Sequence, residues 1–448
     1  MTIILDRLYE WLWGTPMLVL ILGVGIWLTI RTRCVQVRLF PQALRRILTP
    51  APSGDGGVSP FRALCTALAA TVGTGNIVGI AGAICLGGPG AVFWMLVFAF
   101  FGMAVKFAED ALAVHFRESE DGEAVGGTMY IIRSRLPRCW LPMAYLYSLC
   151  GILASFGVGN LTQVNAIVTS VQGITTELSP LALGLMLTIL VGLAFLNGAD
   201  SIGRIAEKLI PYAASVYILL CILFLILKAP LVPRAVCGII TGAFSPKAVT
   251  GGLIGSAIKA VQTGCSRGVF THEAGMGTAS IAHASANVQH PAEQGMMGLL
   301  EVFLDTFVIC TLTALVILCS GVPIPYGMDA GGSLTIVAFS TVFGRLGKSL
   351  VCIFLACFAY ATILGWSFYG LRCTQFLFGK KAAPVFFALQ TGAVVWGAVL
   401  KTPQVWRLAE ILNGLMAIPN LLMLMLLGPS LRTITNSYHP GISIHNRR

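Results

Sequence analysis

Long apolar runs recur along the whole of this 448-residue chain. A run of about 18 or more apolar residues can cross the ~30 Å hydrocarbon core of a bilayer as an α-helix. Only 10% of the residues are charged, whereas soluble domains average about 25%. The longest polar stretches, Arg31–Phe61 and Arg117–Arg138, leave no room for a large soluble domain. The sequence therefore predicts an all-α polytopic membrane protein.

The apolar runs predict eleven transmembrane helices, preceded by a short interfacial helix at Asp6–Trp13. The predicted spans are Pro16–Ile30, Phe61–Ile84, Gly90–Phe116, Leu141–Val171, Pro180–Leu196, Ile202–Leu227, Gly251–Ala284, Gln294–Ser320, Gly347–Leu371, Ala383–Leu400 and Val405–Leu427.

The distribution of basic residues predicts the orientation. With the N-terminus outside, 18 of the 29 Lys and Arg residues lie in inner segments and 8 lie in outer ones. Positive residues are enriched in cytoplasmic loops, so we expect a multi-pass protein of the plasma (inner) membrane with a cytoplasmic C-terminus. The net charge of +11 follows from these loops. No Lys/Arg-rich run indicates a nucleic-acid partner.

The ten spans after the first predict an inverted repeat. They divide into two sets of five, and because five is odd the second set must enter the membrane in the opposite orientation. The predicted organisation is 1–60 for the N-terminal helices and a cytoplasmic loop, 61–228 for the first repeat, 229–430 for the second, and 431–448 for a cytoplasmic tail.

Each predicted repeat begins with a weakly apolar helix that glycines interrupt. The interruptions are Gly73-Thr74-Gly75-Asn76 and Glu273-Ala274-Gly275-Met276-Gly277. Interrupted helices at matching positions of two repeats indicate a transport site. The alternative is that the glycines only allow close helix packing.

A helix break at mid-membrane depth frees backbone groups that must be buried in protein or line a cavity. The N–H groups of a half-helix N-terminus favour a carboxylate. Freed carbonyl oxygens suit Na⁺, a hard cation. The two breaks therefore predict a site for an amino acid and a cation.

Several stretches of the chain resemble the alanine or glycine:cation symporter family, within the superfamily that has the leucine-transporter fold. They are "ALAATVGTGNIVGIAGAICLGGPGAVFWM", "KFAEDALAVHFRE", "SFGVGNLTQVNAI", "RGVFTHEAGMGTASIAHASA", "DTFVICTLTALVIL" and "ATILGWSFYG". The resemblance implies a leucine-transporter-like fold of five plus five helices and sodium-coupled uptake of alanine or glycine by alternating access. It implies no organic cofactor, with Na⁺ as the coupling ion. The expected partners are a small amino acid and membrane lipid, and no obligate protein partner is evident.

The resemblance also assigns residues around the first break. The substrate carboxylate is expected to meet the N–H groups of Gly73, Thr74 and Gly75, with Asn76 as a sodium or substrate ligand. The sodium site is expected between this break and the eighth core helix. The full predicted sodium set is Ala69, Thr71, Val72, Asn76 and Thr362.

The second break and two further helices complete the predicted site. Residues Ala274, Gly275, Met276 and Gly277 are expected to face the substrate's amino group and side chain, with Met276 limiting its size. Phe156, Asn160 and Gln163 fall at i, i+4 and i+7, which places them on one helical face. Trp366 shares a face with Thr362 and either lines the site or only packs.

Two departures from the family pattern leave the coupling ion open. His272 stands where the family usually has asparagine, and Ala361 stands where a hydroxyl residue often precedes Thr362. Because histidine titrates near neutral pH, a proton-coupled transporter of the same fold is an alternative hypothesis. A non-transporting amino-acid sensor is another. The sequence carries no catalytic motif, so we do not expect an enzyme.

The remaining intramembrane charges are candidates for function. Lys106, Glu109 and Asp110 are expected near the inner interface, where long side chains can reach water. Asp305 is expected to pair with Lys259 or Arg267, or else to face a water path. Glu273 is expected either to gate the site or to bind freed backbone, and His283 is expected in a loop.

Overall fold

The computed structural model describes residues 2–48, 58–175, 177–196, 198–244, 257–328, 331–400 and 403–438. These residues are mostly helical. The first helices are α1 Thr2–Leu12, α2 Thr15–Arg31, α3 Val35–Arg38, α4 Phe40–Leu48, α5 Pro60–Thr71, α6 Val78–Gly87, α7 Gly90–His115, α8 Thr128–Arg135, α9 Leu141–Phe156, α10 Thr162–Gln172 and α11 Pro180–Phe195. The others are α12 Gly198–Leu227, α13 Val232–Phe244, α14 Ala257–His272, α15 Thr278–His283, α16 Pro291–Val302, α17 Thr311–Cys319, α18 Gly332–Phe378, α19 Ala383–Val399, α20 Pro403–Leu426 and α21 Gly428–Ser437.

Seven helical segments in the described ranges are long and apolar enough to cross a bilayer. They are Arg7–Arg31, Gly90–His115, Arg138–Gln172, Gly198–Leu227, Pro291–Cys319, Gly332–Phe378 and Lys380–Val399, and the bent pair Glu410–Leu426 with Gly428–Ser437 would make an eighth. The all-α membrane class is confirmed. The predicted number of eleven is not established, because broken or short helices fall below this length.

Two local differences from the predicted spans stand out. A shorter apolar helix at Ala229–Phe244 lies where no span was predicted. Within α18, Gly344 has φ 56° and ψ −135°, so the backbone is not helical there and the long helix is kinked. The kink lies just before the predicted start of the ninth span at Gly347. Residues 251–256 of the predicted Gly251–Ala284 span lie outside the described ranges.

Both predicted interruptions are real breaks in helices. The first separates α5 from α6, and the second separates α14 from α15. In the second break Glu273, Gly275 and Gly277 all have positive φ, at 54°, 97° and 74°. Glycine adopts this backbone region readily, whereas a residue with a Cβ rarely does. Gly275 and Gly277 therefore stand at positions where the backbone has positive φ. Glu273, which has a Cβ, needs tertiary contacts to hold the same conformation.

The two broken helices pack closely against α7, α16 and α18, and glycines make this possible. A Cβ on Gly365 of α18 would collide with the backbone of Ala70 in α5. Gly264 of α14 lies equally close to the backbone of Ala91 in α7. Small residues let helix backbones approach in membranes, where packing replaces the hydrophobic effect between helices. The core of the molecule is therefore formed around the two breaks.

Two turns of π-helix interrupt longer helices beside this core. Gly157–Leu161 joins α9 to α10, and Phe303–Cys310 joins α16 to α17. A π-turn contains one residue more than an α-helical turn, so the side chains after it point in different directions from those of a regular α-helix. Such turns are frequent at functional sites.

A short β-hairpin lies at the C-terminal ends of α7 and α18. Its strands, β1 Glu118–Glu120 and β2 Glu123–Val125, pair antiparallel. Asp121 and Gly122 both have positive φ, as a two-residue hairpin turn requires. The hairpin is joined to the end of α18 and the turn after it by two ion pairs, Arg372–Glu123 and Lys380–Asp121, each at 3.0 Å.

Candidate substrate and cation site

The first break exposes backbone groups between two half-helices. The α5 helix ends at Thr71, Gly73 is extended with φ −137° and ψ −152°, and Thr74–Asn76 form one turn of 3₁₀-helix before α6. The first N–H groups of a helical turn have no acceptor within that turn. Thr74 and Gly75 open the turn, so their amides face the position where a carboxylate was predicted.

The side chain of Asn76 holds the shape of this break. Its Oδ1 accepts a hydrogen bond from the Gly73 N–H at 2.9 Å. Its Nδ2 donates to Asp305 Oδ1 at 2.6 Å and lies 3.2 Å from Cys310 Sγ. The expectation that Asp305 pairs with Lys259 or Arg267 is therefore wrong. Its carboxylate, carried by a π-turn, instead orients the carboxamide of Asn76.

The bond between Gly73 and Asn76 changes the end of α5. In a continuous helix the Gly73 N–H would bond to the carbonyl of Ala69, four residues earlier. Here that N–H donates to a side chain instead. The carbonyl groups at the end of α5, from Ala69 to Val72, are thereby left for other partners. Ala69, Thr71 and Val72 of the predicted sodium set lie in this segment.

Thr362 lies directly against the break. A Cβ on Gly73 would collide with Thr362 Oγ1, so the hydroxyl and the Gly73 backbone are in contact. Thr362 Oγ1 donates to the Phe358 carbonyl at 3.0 Å, and its lone pairs remain as acceptors. The structure thus brings a hydroxyl oxygen of α18 beside the carbonyl groups that end α5. Main-chain and hydroxyl oxygens are the ligands that hard cations prefer.

A cavity of about 1420 Å³ reaches the first break. At its deep end it contacts Thr74 and Gly75 of the break and Phe270 of α14. Its other walls come from α1, α10, α20 and the start of α18, and the Arg267–Glu410 ion pair, at 3.2 Å, lies on its lining. The volume exceeds the ~300–1,000 Å³ of ordinary ligand pockets, so the cavity is larger than a small ligand alone would fill.

The second break does not line this cavity. The amides of Gly275 and Gly277 donate to Glu109 Oε1 at 2.9 and 3.2 Å, and Asn420 Nδ2 donates to the same oxygen at 2.6 Å. Glu109 and its neighbours Lys106 and Asp110 are fully buried. The expectation that these side chains reach water is therefore wrong, because the freed amides of the break need a buried acceptor. Their position near the inner interface stays a prediction.

Glu273 and Trp366 connect the second break to α18. Trp366 Nε1 donates to Glu273 Oε1 at 2.9 Å, and Thr278 Oγ1 donates to the other carboxylate oxygen at 2.6 Å. The indole also lies against Gly159 in the π-turn after α9. Trp366 therefore joins three elements of the core. Ala274 and Met276 are buried within the break, and their contact with substrate stays a prediction.

The predicted face of the third core helix is changed by the π-turn at Gly157–Leu161. The Phe156 ring packs on Phe386 at 5.8 Å, and Asn160 Nδ2 donates to the Gln390 side chain at 2.7 Å, so both contact α19. Gln163 Nε2 bonds to the Val158 carbonyl at 2.9 Å, and its Oε1 is buried without a hydrogen-bond partner. The Asn160 Oδ1 is likewise buried without a hydrogen-bond partner among the described residues, so both amides offer a spare acceptor. The role of all three residues as substrate ligands stays a prediction.

Three residues contact the helix breaks in ways that the sequence did not predict: Glu109, Asp305 and Asn420. Each contacts a break from more than 140 residues away along the chain. The only signal was that Glu109 and Asp305 are acidic residues within apolar runs, which marks them as functional candidates without naming their partners.

Replacement of Asn76 by alanine should weaken sodium binding. The Gly73 N–H would then be free to bond to the Ala69 carbonyl. Asp305 Oδ1 would lose the Asn76 donor, while Oδ2 would keep the Thr306 hydroxyl. We expect the sodium concentration for half-maximal uptake to rise about tenfold, because a buried hydrogen bond to a charged group contributes ~1.5–3 kcal/mol. Sodium-dependent uptake into vesicles measures this. Asn165→Ala, on the wall of the same cavity, is the control, and an equal effect there would contradict the assignment.

The fold and these two breaks define a class of protein, the secondary transporters with broken helices. The solved structure of MhsT in complex with L-phenylalanine has a TM-score of 0.58 with this chain at 15% identity, covering 86% of this chain and 99% of that one. This likeness shows that the chain has the leucine-transporter fold. The model of the Sodium:alanine symporter family matches residues 1–445. The chain therefore belongs to the sodium:alanine symporter family.

Two relatives cover nearly the whole chain. An uncharacterized transporter of Haemophilus influenzae is 40% identical over 447 residues, with 99% of this chain and 97% of that one covered. The sodium/alanine symporter AgcS of Methanococcus maripaludis is 40% identical over 443 residues, with 97% of each chain covered. The predicted resemblance is confirmed, and the relatives are transporters rather than enzymes.

Proposed function

We propose that this protein is a symporter that couples the entry of Na⁺ to the uptake of a small neutral amino acid, alanine or glycine. The observation that carries the proposal is the first break, where free amides and the carbonyl groups that end α5 adjoin Thr362. Membership of the sodium:alanine symporter family and similarity to AgcS support it. No organic cofactor takes part in this mechanism.

In this proposal the substrate carboxylate binds the amides of Thr74 and Gly75 at the deep end of the cavity. Half-helix N-termini carry partial positive charge, which favours an anion. The close approach of Phe270 and Thr271 to Gly75 leaves little room beyond the carboxylate. A small side chain such as that of alanine or glycine fits this restriction better than a branched one.

Sodium binds in this proposal between the carbonyl groups at the end of α5 and the Thr362 hydroxyl. The cation and the carboxylate then occupy opposite sides of one backbone segment, so each stabilises the geometry that the other requires. Such coupling is reciprocal, since each ligand raises the affinity of the other by the same factor. The sodium gradient can thereby drive substrate accumulation by alternating access.

The N-terminal helix contributes Tyr9 and Glu10 to the wall of the cavity, and Trp13 follows directly after it. Because the distribution of basic residues predicts an external N-terminus, we propose that the cavity opens to the outside. The C-terminus is then cytoplasmic. Labelling of single cysteines placed on α1 and α21, in intact cells and in inverted vesicles, would test this orientation.

The test of the function is uptake of labelled alanine into proteoliposomes at fixed pH, with an inward Na⁺ gradient or with K⁺ in its place. Accumulation with Na⁺ alone is the expected result. Equal accumulation with both cations would contradict sodium coupling. Binding without accumulation would instead indicate a sensor.

Replacement of Thr362 by valine should impair sodium binding with little loss of packing, because the two side chains have similar shape. We expect at least about a tenfold rise in the sodium concentration for half-maximal uptake, equal to ~1.4 kcal/mol. Thr374→Val is a matched control, since Thr374 lies on the same helix and its hydroxyl also bonds to the carbonyl four residues earlier, at 2.8 Å. Similar sodium curves for both variants would count against the site.

A proton-coupled transporter remains the second candidate, and one observation favours it. His272 is buried, its Nδ1 accepts from the Ala274 amide at 3.0 Å, and its Nε2 has no hydrogen-bond partner among the described residues. In the assay above, uptake that follows a pH gradient and ignores Na⁺ would select this candidate. His272→Asn, which restores the residue usual in the family, would then reduce the response to pH.

A further inference from the structure

A second polar cluster lies behind the breaks, apart from the proposed sodium site. It consists of Lys106 and Asp110 on α7, His283 at the end of α15, and Glu301 on α16. All four side chains are fully buried. His283 was expected in a loop, and this expectation is wrong, because its ring is enclosed by three helices.

The contacts within the cluster are unequal. Lys106 Nζ lies 3.1 Å from Glu301 Oε1, and His283 Nε2 lies 3.3 Å from the other oxygen of Glu301. Asp110 Oδ2 lies 3.6 Å from His283 Nε2, beyond hydrogen-bond distance. Neither Asp110 oxygen has a hydrogen-bond partner among the described residues. Glu301 is therefore paired, and Asp110 is not.

The tautomer of His283 follows from its other nitrogen. Gln294 Nε2 bonds to His283 Nδ1, so Nδ1 is the acceptor and the proton of the neutral ring lies on Nε2. That N–H points toward Glu301 and Asp110. The ring thus donates within the cluster and adds no charge to it.

The charges of the cluster leave one negative charge unbalanced. Lys106 neutralises Glu301, while Asp110 would remain an ionised carboxylate without a donor. Glu109 precedes Asp110 on the same helix, and its carboxylate already accepts hydrogen bonds from the second break. The buried Tyr369 hydroxyl of α18 also interacts electrostatically with Asp110, and it has no hydrogen-bond partner among the described residues. An unpaired charge buried in this way is strongly disfavoured, and a group in that position neutralises instead.

The space around the Asp110 carboxylate limits which cation can neutralise it. Asp110 Oδ2 packs on the backbone of α16, so closely that a Cβ on Gly298 would collide with it. Asp110, His283 and Glu301 have ligand atoms within 4.8 Å of one another, as a metal site requires. However, Lys106 Nζ already lies 3.1 Å from Glu301 Oε1, so a divalent ion would have to compete with the ammonium group for this carboxylate. One proton matches both the charge and the space.

We infer that Asp110, His283, Glu301 and Lys106 form a proton-binding site in which Asp110 carries the proton. Release of the proton leaves a carboxylate that must be paired by His283. Because α15 begins immediately after the second break, this change of charge acts on the second half of a broken helix. The site therefore links proton binding to the position of α15 relative to α7 and α16.

Infrared spectroscopy of the purified full-length protein tests the inference without relying on transport. A protonated carboxylic acid has a carbonyl band that is separate from those of ionised carboxylates and shifts in ²H₂O. We expect such a band at neutral pH in the unmodified protein, its loss in Asp110→Asn, and its retention in Asp200→Asn. Asp200 is an exposed aspartate and serves as the matched control. If Asp110→Asn left all carbonyl bands of protonated carboxylic acids unchanged, the inference would be overturned.

A second variant covers the case in which Asp110→Asn fails to fold. His283→Gln should shift the same infrared band without removing it, and an unmoved band would contradict the inference.

Two further measurements complete the test. Metal analysis of the purified protein should find no stoichiometric metal, whereas one ion per chain that is lost in Asp110→Asn would overturn the proton assignment. In proteoliposomes the pH dependence of uptake should lose one titration step in Asp110→Asn. An unaltered pH profile would contradict a link to transport.

Discussion

Sodium-dependent uptake is expected to fall by at least about a hundredfold when Gly73 is replaced by alanine. The added methyl group would collide with Thr362 Oγ1, and the first break would have to move away from α18. Inserted atoms in a packed core typically cost ~1–3 kcal/mol, and here they also separate the two halves of the proposed sodium site. Uptake of labelled alanine at several sodium concentrations measures the effect.

Gly79→Ala is the matched control for Gly73→Ala. Gly79 lies on the same broken helix and also borders the cavity, but a methyl group there would make only an ordinary contact with Thr271. The double variant Gly73→Ala/Thr362→Ala removes the collision together with the hydroxyl. It should regain thermal stability without regaining sodium dependence. Recovery of normal sodium dependence would show that Thr362 only packs.

The second large effect is expected from Glu109→Ala. Three donors, the amides of Gly275 and Gly277 and the side chain of Asn420, would lose a common acceptor in the buried core. Each unsatisfied buried donor costs ~1–3 kcal/mol, so the loss of stability should amount to several kcal/mol. Thermal unfolding in detergent should show a marked decrease in the midpoint temperature, and uptake should be lost.

The conservative variant Glu109→Gln separates the two roles of this side chain. Its carbonyl oxygen can still accept from the break, so it should be more stable than Glu109→Ala. Glu177→Ala, in an exposed position, is the control for removal of a surface carboxylate. If Glu109→Ala and Glu177→Ala unfolded at the same temperature, the carboxylate would not support the second break.

The breaks could be predicted from the sequence because glycine acts locally. The conformational freedom of glycine is a property of the residue itself, so it is visible in the sequence at Gly73, Gly75, Gly275 and Gly277. The class of fold followed from the apolar runs and from the matched spacing of the breaks. Gly73 and Thr362, which the family resemblance assigned to one site, lie in contact, and their binding of sodium stays a prediction.

The partners of the breaks could not be predicted in this way. Glu109 reaches Gly275 only after α7 and α14 have packed together, and no local pattern records that contact. The direction of Asp305 depends on a π-turn, which the α-helical period does not include. The same limitation affected Phe156 and Asn160, since the π-turn at Gly157–Leu161 alters the helical phase that placed them with Gln163 on one face.

The hairpin at Glu118–Val125 has a consequence for the rate of the cycle. Its ion pairs to Arg372 and Lys380 lie at the C-terminal end of α18, whereas the cavity contacts the start of that helix. Their acidic partners are largely exposed, Glu123 at 58% and Asp121 at 81%. Exposed ion pairs are screened by salt, with a Debye length of ~8 Å at physiological ionic strength. An opening that separates the hairpin from α18 would break these contacts. The return of the empty carrier should therefore quicken as ionic strength rises, even with an inert salt that the transport site does not bind.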